Sequence, residues 1–167
     1  MNRLLVFLLA LSLPLLFGCK PKASSITTLQ RKQAASVASE AEFATTLKDF
    51  KRASALYRQA AQLCPDTPEY QGNLGMVLRQ MGDGEGARAS YRAAAKLYRD
   101  RYAEAGHPAD LLQQATLLIL MGDGDGALKL LKKGSAAHPD DALLRDAADP
   151  SWLERVRRDP RFSKIAL

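Results

Sequence analysis

The sequence predicts an all-α solenoid of stacked helical hairpins, and three observations point to it. Ala53, Tyr57, Ala60 and Leu63 return 34 residues later as Ala87, Tyr91, Ala94 and Leu97. A fixed period of that size is the mark of a helix-turn-helix unit that buries its apolar face by stacking on copies of itself. Met81-Gly82-Asp83-Gly84-Glu85-Gly86-Ala87 then returns almost unchanged as Met121-Gly122-Asp123-Gly124-Asp125-Gly126-Ala127, displaced by 40 residues. Finally, Pro65 and Pro139, which lack the N–H that would continue a helix, stand 74 residues apart, one displacement of each kind, so register is kept through three copies.

The chain divides accordingly. Residues 1–18 are a leader, 19–33 a basic tether, 34–141 three units (34–67, 68–101 with an extension to 107, and 108–141), and 142–167 a helical C-terminal cap. Within each unit the small residues Ala53, Ala60, Ala87, Ala94 and Ala127 sit where two helices must approach to about 8–10 Å. Tyr57 and Tyr91 share a helix face with these alanines and fill the gap between neighbours, and Leu131 takes their place in the third copy. Gly82-Asp83 and Gly122-Asp123 mark the turns, glycine ending one helix in the left-handed region and aspartate capping the next. The first copy carries the weaker stop Lys48-Asp49.

Six extra residues separate copies two and three. Copy two has Arg99 where the others have proline, so its second helix is expected to run on through Tyr102 until Gly106-His107-Pro108. Tyr91, Tyr98 and Tyr102 then form one stripe, either packed on the next unit or exposed as a partner-binding ladder. In the cap, Asp149-Pro150 reads as a helix start, with Trp152, Leu153 and Val156 on its apolar face. Asp159-Pro160-Arg161-Phe162 breaks that helix and tucks in Phe162 and Ile165. The segment is either a cover for the last apolar face or a partner hot spot built on Trp152, Arg157 and Arg158.

The leader is an address rather than structure. Asn2-Arg3 precedes an apolar run from Leu4 to Phe17, 14 residues, short of the ~20 that span a bilayer as a helix. Its end, Leu16-Phe17-Gly18-Cys19, resembles the lipobox of bacterial lipoproteins. That resemblance implies a diacylglycerol on Cys19, cleavage before it and a multiply acylated anchor. Lys20, in place of an aspartate, implies outer-membrane attachment facing the periplasm. The alternative is that Cys19 merely ends a cleaved signal or a signal anchor.

Charge bounds the partners. The formal net charge is +6, yet residues 34–141 hold 14 acidic against 13 basic side chains, so no phosphate-binding face is required and nucleic acid is not an expected partner. The excess lies in Lys20, Lys22, Arg31 and Lys32, which suit either anionic headgroups beside the anchor or a solvated tether. Cys64, before Pro65, has no partner for an internal disulfide if Cys19 is lipidated, and reads as a packed apolar position or a reactive thiol. The Gly82–Gly86 run places two carboxylates among its glycines and would repel a phosphate. Asp123 and Asp125 are too few for a calcium loop. His107 and His138 each precede a proline at a unit's end, with no nucleophile or zinc pattern beside them.

Asn73-Leu74-Gly75, Gly82-Asp83, Ala87, Tyr91 and Ala94 resemble the tetratricopeptide repeat signature, best in copy two. Copy one has Glu40-Ala41 for the Leu-Gly pair, and copy three has Gln114-Ala115 there and Gly134 for an alanine. The resemblance implies a concave groove lined by Glu42, Thr45, Thr46, Asn73, Met76, Arg79, Gln80, Gln113 and Thr116. The lysine and asparagine set with which some relatives clamp a carboxylate is absent, so a partner held through extended backbone or as an amphipathic helix is the better fit. The functional expectation is a lipid-anchored adaptor at the bacterial envelope, without catalysis or cofactor beyond the lipid on Cys19, serving assembly of an outer-membrane, pilus or secretion complex. The alternatives are a structural lipoprotein that homo-oligomerises, and a metal- or thiol-dependent regulator or enzyme. Oligomeric state is left open.

Overall fold

The structure, a computed structural model, describes residues 26–167. The leader, Cys19, Lys20 and Lys22 lie outside the described residues. Among those described there are nine helices and no strand. Three long hairpins come first: α1 (Thr28–Thr46) with α2 (Phe50–Leu63), α3 (Pro68–Gln80) with α4 (Gly84–Ala105), and α5 (Pro108–Leu120) with α6 (Gly124–Ala137). Three short helices follow, α7 (Ala142–Ala147), α8 (Pro150–Arg158) and α9 (Pro160–Ser163). Along the hairpins each helix packs on the one before it, α2 on α1 and so on to α7 on α6, which is the nearest-neighbour arrangement of a solenoid.

The hairpin turns share one design. Gly82 and Gly122 take φ of 84° and 87°, and the next amide, of Asp83 or Asp123, donates to the carbonyl of Leu78 or Leu118, both at 2.9 Å. The Asp83 and Asp123 carboxylates then accept from the amides of Gly86 and Gly126, both at 2.8 Å, and start the second helix. In the first unit Lys48 holds the same left-handed turn at φ 61°, with Asp49 capping through the amide of Arg52 at 3.1 Å. An L side chain there costs about 1–2 kcal/mol that glycine avoids.

Small residues set the spacing inside each hairpin. Ala34, Ala38, Ala41 and Ala44 of α1 are buried, as are Ala53, Tyr57 and Ala60 of α2. In unit two Tyr91 is wholly buried, and a Cβ on Gly75 would stand 2.5 Å from its ring carbons. The corresponding pairs are Ala41 with Tyr57 in unit one and Ala115 with Leu131 in unit three. Tyr91 thus stands opposite glycine, while Tyr57, seated a little less deeply, and the smaller Leu131 stand opposite alanine. Units one and two share a core that reaches Leu117 and Leu120 of α5. A second core gathers Leu111, Ala115, Ile119, Ala127 and Leu131 under Leu144, Ala147 and Leu153 of the cap.

The extension of α4 ends at Gly106, φ 69°, and links units two and three. Arg101 donates to Asp110 at 2.6 and 3.0 Å and to Glu69 at 3.0 Å, and its guanidinium lies 5.0 Å from the centre of the Tyr98 ring. Hydrogen bonding to the nearly buried Asp110 pushes the Arg101 guanidinium above its ordinary range, so it stays charged. The tyrosine stripe is internal for its first two members, Tyr91 and Tyr98 being buried in the first core. Tyr102 packs against the second core, and its hydroxyl meets His138 Nε2 at 2.8 Å.

Two local expectations are corrected. Helix α1 begins at Thr28, where Thr27 and Gln30 cap each other reciprocally, so Arg31 and Lys32 are helical rather than part of a tether. Arg31 pairs with Asp66 at 2.6 Å and holds that carboxyl below its ordinary range. The cap also contains a helix, α7, that was not anticipated. It starts at Asp141, whose side chain accepts from the Leu144 amide, and it lays Leu144 and Ala147 on unit three.

Substituting glycine by alanine in a helix ordinarily gains about 0.5–1 kcal/mol. At Gly75 the sign should reverse, because the added methyl meets the Tyr91 ring and overpacking costs about 1–3 kcal/mol. Chemical denaturation of Gly75→Ala should show a lower midpoint, and adding Tyr91→Leu, which copies the pairing of unit three, should recover most of that loss. A Gly75→Ala chain as stable as the parent would remove this explanation of the spacing.

Candidate functional site

Helices α1, α3 and α5 are the first members of their hairpins and line the same side of the stack. All nine residues expected in the groove lie on them, and all but Arg79 line two clefts of about 380 Å³ each that meet at Ile165. One cleft is walled by Thr45, Thr46, Asn73, Met76 and Gln80, together with Phe50, Tyr57 and Val77. The other takes Glu42, Asn73, Met76, Gln113 and Thr116, together with Glu69, Tyr98 and Leu117. Arg79 lies one step further along, beside Leu167.

The polar groups of these walls are not equally available. Thr45, Thr46 and Thr116 donate their hydroxyl protons to the carbonyls of Ala41, Glu42 and Leu112, one turn earlier, at 2.8, 3.0 and 2.9 Å. They therefore present methyl groups and lone pairs to a ligand. Glu69 contributes a buried carboxylate oxygen, Oε2, that has no hydrogen-bond partner among the described residues. Burial pushes the Tyr57, Tyr91 and Tyr98 hydroxyls above the ordinary tyrosine value, so each remains a protonated donor at neutral pH.

The trough was expected open, and it is partly filled. After α9 the chain turns back across the concave face, and Lys164–Leu167 lies against α3, α4 and α5. Gln80 Nε2 donates to the Lys164 carbonyl at 3.2 Å, the Tyr91 hydroxyl to the Ile165 carbonyl at 2.7 Å and Arg79 Nε to the Ala166 carbonyl at 2.6 Å. The Leu167 amide donates to the Leu120 carbonyl at 2.8 Å. Three successive carbonyls are thus held by three groove side chains, while Ile165, Ala166 and Leu167 pack on the first core. Arg79 and Gln80 were expected in the groove, whereas Tyr91 was read from sequence as a spacer between units or as part of an exposed tyrosine ladder.

Other candidates have structural occupations. Cys64 is buried at the end of α2, and burial raises its thiol above the ordinary cysteine range, away from the reactive thiolate. Asp83 and Asp123 serve as helix caps. Trp152 is half-buried against the second core, and Arg157 pairs with Glu154 at 3.2 Å, so the cap covers unit three as its apolar face suggested.

Residues 68–101, which comprise α3 and most of α4, match the family model of the tetratricopeptide repeat. No curated protein matches the chain. The matched unit carries Asn73, Met76, Arg79, Gln80 and Tyr91, and its hairpin geometry is repeated before and after it, so the fold is an all-α tetratricopeptide solenoid. Repeats of this kind are in general non-catalytic scaffolds that mediate contact with other proteins.

Replacing Tyr91 by phenylalanine keeps the ring in the core and deletes the hydrogen bond to Ile165, an interaction worth about 1 kcal/mol. Tyr91→Phe should therefore speed tryptic cleavage after the exposed Lys164 by about fivefold while the thermal unfolding of the helices stays nearly unchanged. Equal cleavage rates would mean that the bond does not hold the segment in place.

Proposed function

We propose that this chain is a lipid-anchored adaptor of the bacterial cell envelope, which holds a partner polypeptide in the groove formed by α1, α3 and α5. The observation that carries the adaptor reading is the manner in which the groove treats a polypeptide already lying in it. Side chains of one repeat donate to consecutive backbone carbonyls, and residues of all three units wall the surrounding clefts. Backbone recognition of that type gives affinity for a chain with free carbonyls, and the clefts on either side give selectivity for its side chains.

The anchor is read from Leu16-Phe17-Gly18-Cys19 and the outer-membrane placement from Lys20. Lys20 and Lys22 would add attraction to anionic headgroups, roughly 1 kcal/mol each near a charged surface. No described helix is long and apolar enough to cross a membrane. Assembly of an outer-membrane, pilus or secretion complex is the setting we favour.

Two experiments bear on the halves of this reading separately. Arg79→Glu combined with Asn73→Ala should abolish co-purification of the partner from cross-linked envelopes without loss of helicity by circular dichroism; undiminished recovery of the same partner would count against the groove. Metabolic labelling with palmitate should mark the wild-type chain and not Cys19→Ser. An unlabelled wild type would remove the anchor and leave the groove untouched.

A further inference from the structure

Resting on the adaptor reading, we propose that the groove selects a short aliphatic peptide segment read through its backbone carbonyls, and that Lys164–Leu167 is a resident occupant which such a partner must displace.

The contacts of the segment define the ligand. Its carbonyls take the hydrogen bonds of Gln80, Tyr91 and Arg79, contacts that any residue type could supply. Its side chains supply the rest: Ile165 stands where the two clefts meet, and Ala166 and Leu167 pack on the first core. A suitable partner therefore presents three consecutive free carbonyls with branched aliphatic side chains beside them, as the turn that closes a helix does. The interior of an amphipathic helix, whose carbonyls are consumed internally, does not meet this requirement, whereas the closing turn of a helix does, as the resident segment after α9 itself shows.

Several features make the occupant exchangeable. Ile165, Ala166 and Leu167 remain partly exposed, unlike the alanines and tyrosines beneath them. The segment follows a helix of only four residues, too short to be stable on its own. Both clefts beside Ile165 extend past it, leaving volume that the resident segment does not fill. Being tethered, however, the segment competes at an effective concentration on the order of millimolar. Affinity for a partner is consequently reduced in proportion to the fraction of chains whose groove is vacant.

The test compares the full chain with the same chain lacking Lys164–Leu167. The probe is a fluorescent peptide of sequence Arg-Phe-Ser-Lys-Ile-Ala-Leu, and binding is read by anisotropy. The shortened chain should bind it at least tenfold more tightly than the full chain, and a peptide carrying Ile165→Asp should not bind. Equal affinity for both chains, or no binding to a shortened chain that retains its helicity, would overturn the proposal. So would loss of helicity on shortening, since a displaceable occupant cannot be needed for the fold. In the full chain, hydrogen exchange at the amides of Ile165–Leu167 should be at least a hundredfold faster than at the core amides of α3 and α4, and protection equal to theirs would contradict displacement. Failure of the peptide test alongside a partner still lost on Arg79→Glu with Asn73→Ala would sink this inference and leave the adaptor reading standing.

Discussion

The structure depends on how closely two helices of a hairpin can lie. Tyr91 is buried completely, and it fits because Gly75 opposite has no side chain. Where the corresponding position holds alanine, the large residue is Leu131 opposite Ala115 and the slightly less buried Tyr57 opposite Ala41. With this spacing set, the first helices of successive units line one side of the stack, and Tyr91 keeps its ring in the core while its hydroxyl reaches the groove at Ile165. One side chain thus serves spacing and recognition together, linking the packing of the solenoid to the chemistry of its concave face.

Much of the fold was legible because its signals are local. A left-handed residue followed by aspartate ends one helix and caps the next within three residues, so Gly82-Asp83 and Gly122-Asp123 could be read without knowing their surroundings. Asp149-Pro150 was legible for the same reason. The start of α1 was equally local, in the reciprocal Thr27 and Gln30 pair, but basic residues nearby suggested a tether. Helix α7 was beyond reach: six residues are too few to display a period, and Leu144 is buried by unit three, not by its own helix.

The groove was legible only in outline. Its expected residues came from resemblance to the repeat family; all lie on α1, α3 and α5, eight of them along the two clefts at Ile165 and Arg79 beside Leu167. The segment lying in the groove left no signature, because Arg79 and Tyr91 meet carbonyls 87 and 74 residues away. Every residue carries a carbonyl, so no letter of the sequence announces that contact. Phe162 and Ile165 could be seen to turn inward, but not toward which surface. A terminal cover and a groove occupant look alike in sequence, and here the same 26-residue cap supplies both, α7 and α8 covering unit three and Lys164–Leu167 crossing the concave face.

The central claim, that three repeats converge on one trough in which a backbone segment lies, is tested most directly by methyl nuclear Overhauser spectroscopy of the chain in solution. Ile165 should show methyl cross-peaks to residues of the first core on which it packs, among them Met76 and Val77 of α3 and Leu117 or Leu120 of α5, with none to be expected if the segment lies free in solvent. Ile165 methyl resonances at random-coil positions, with no cross-peak to any of these residues, would contradict the account.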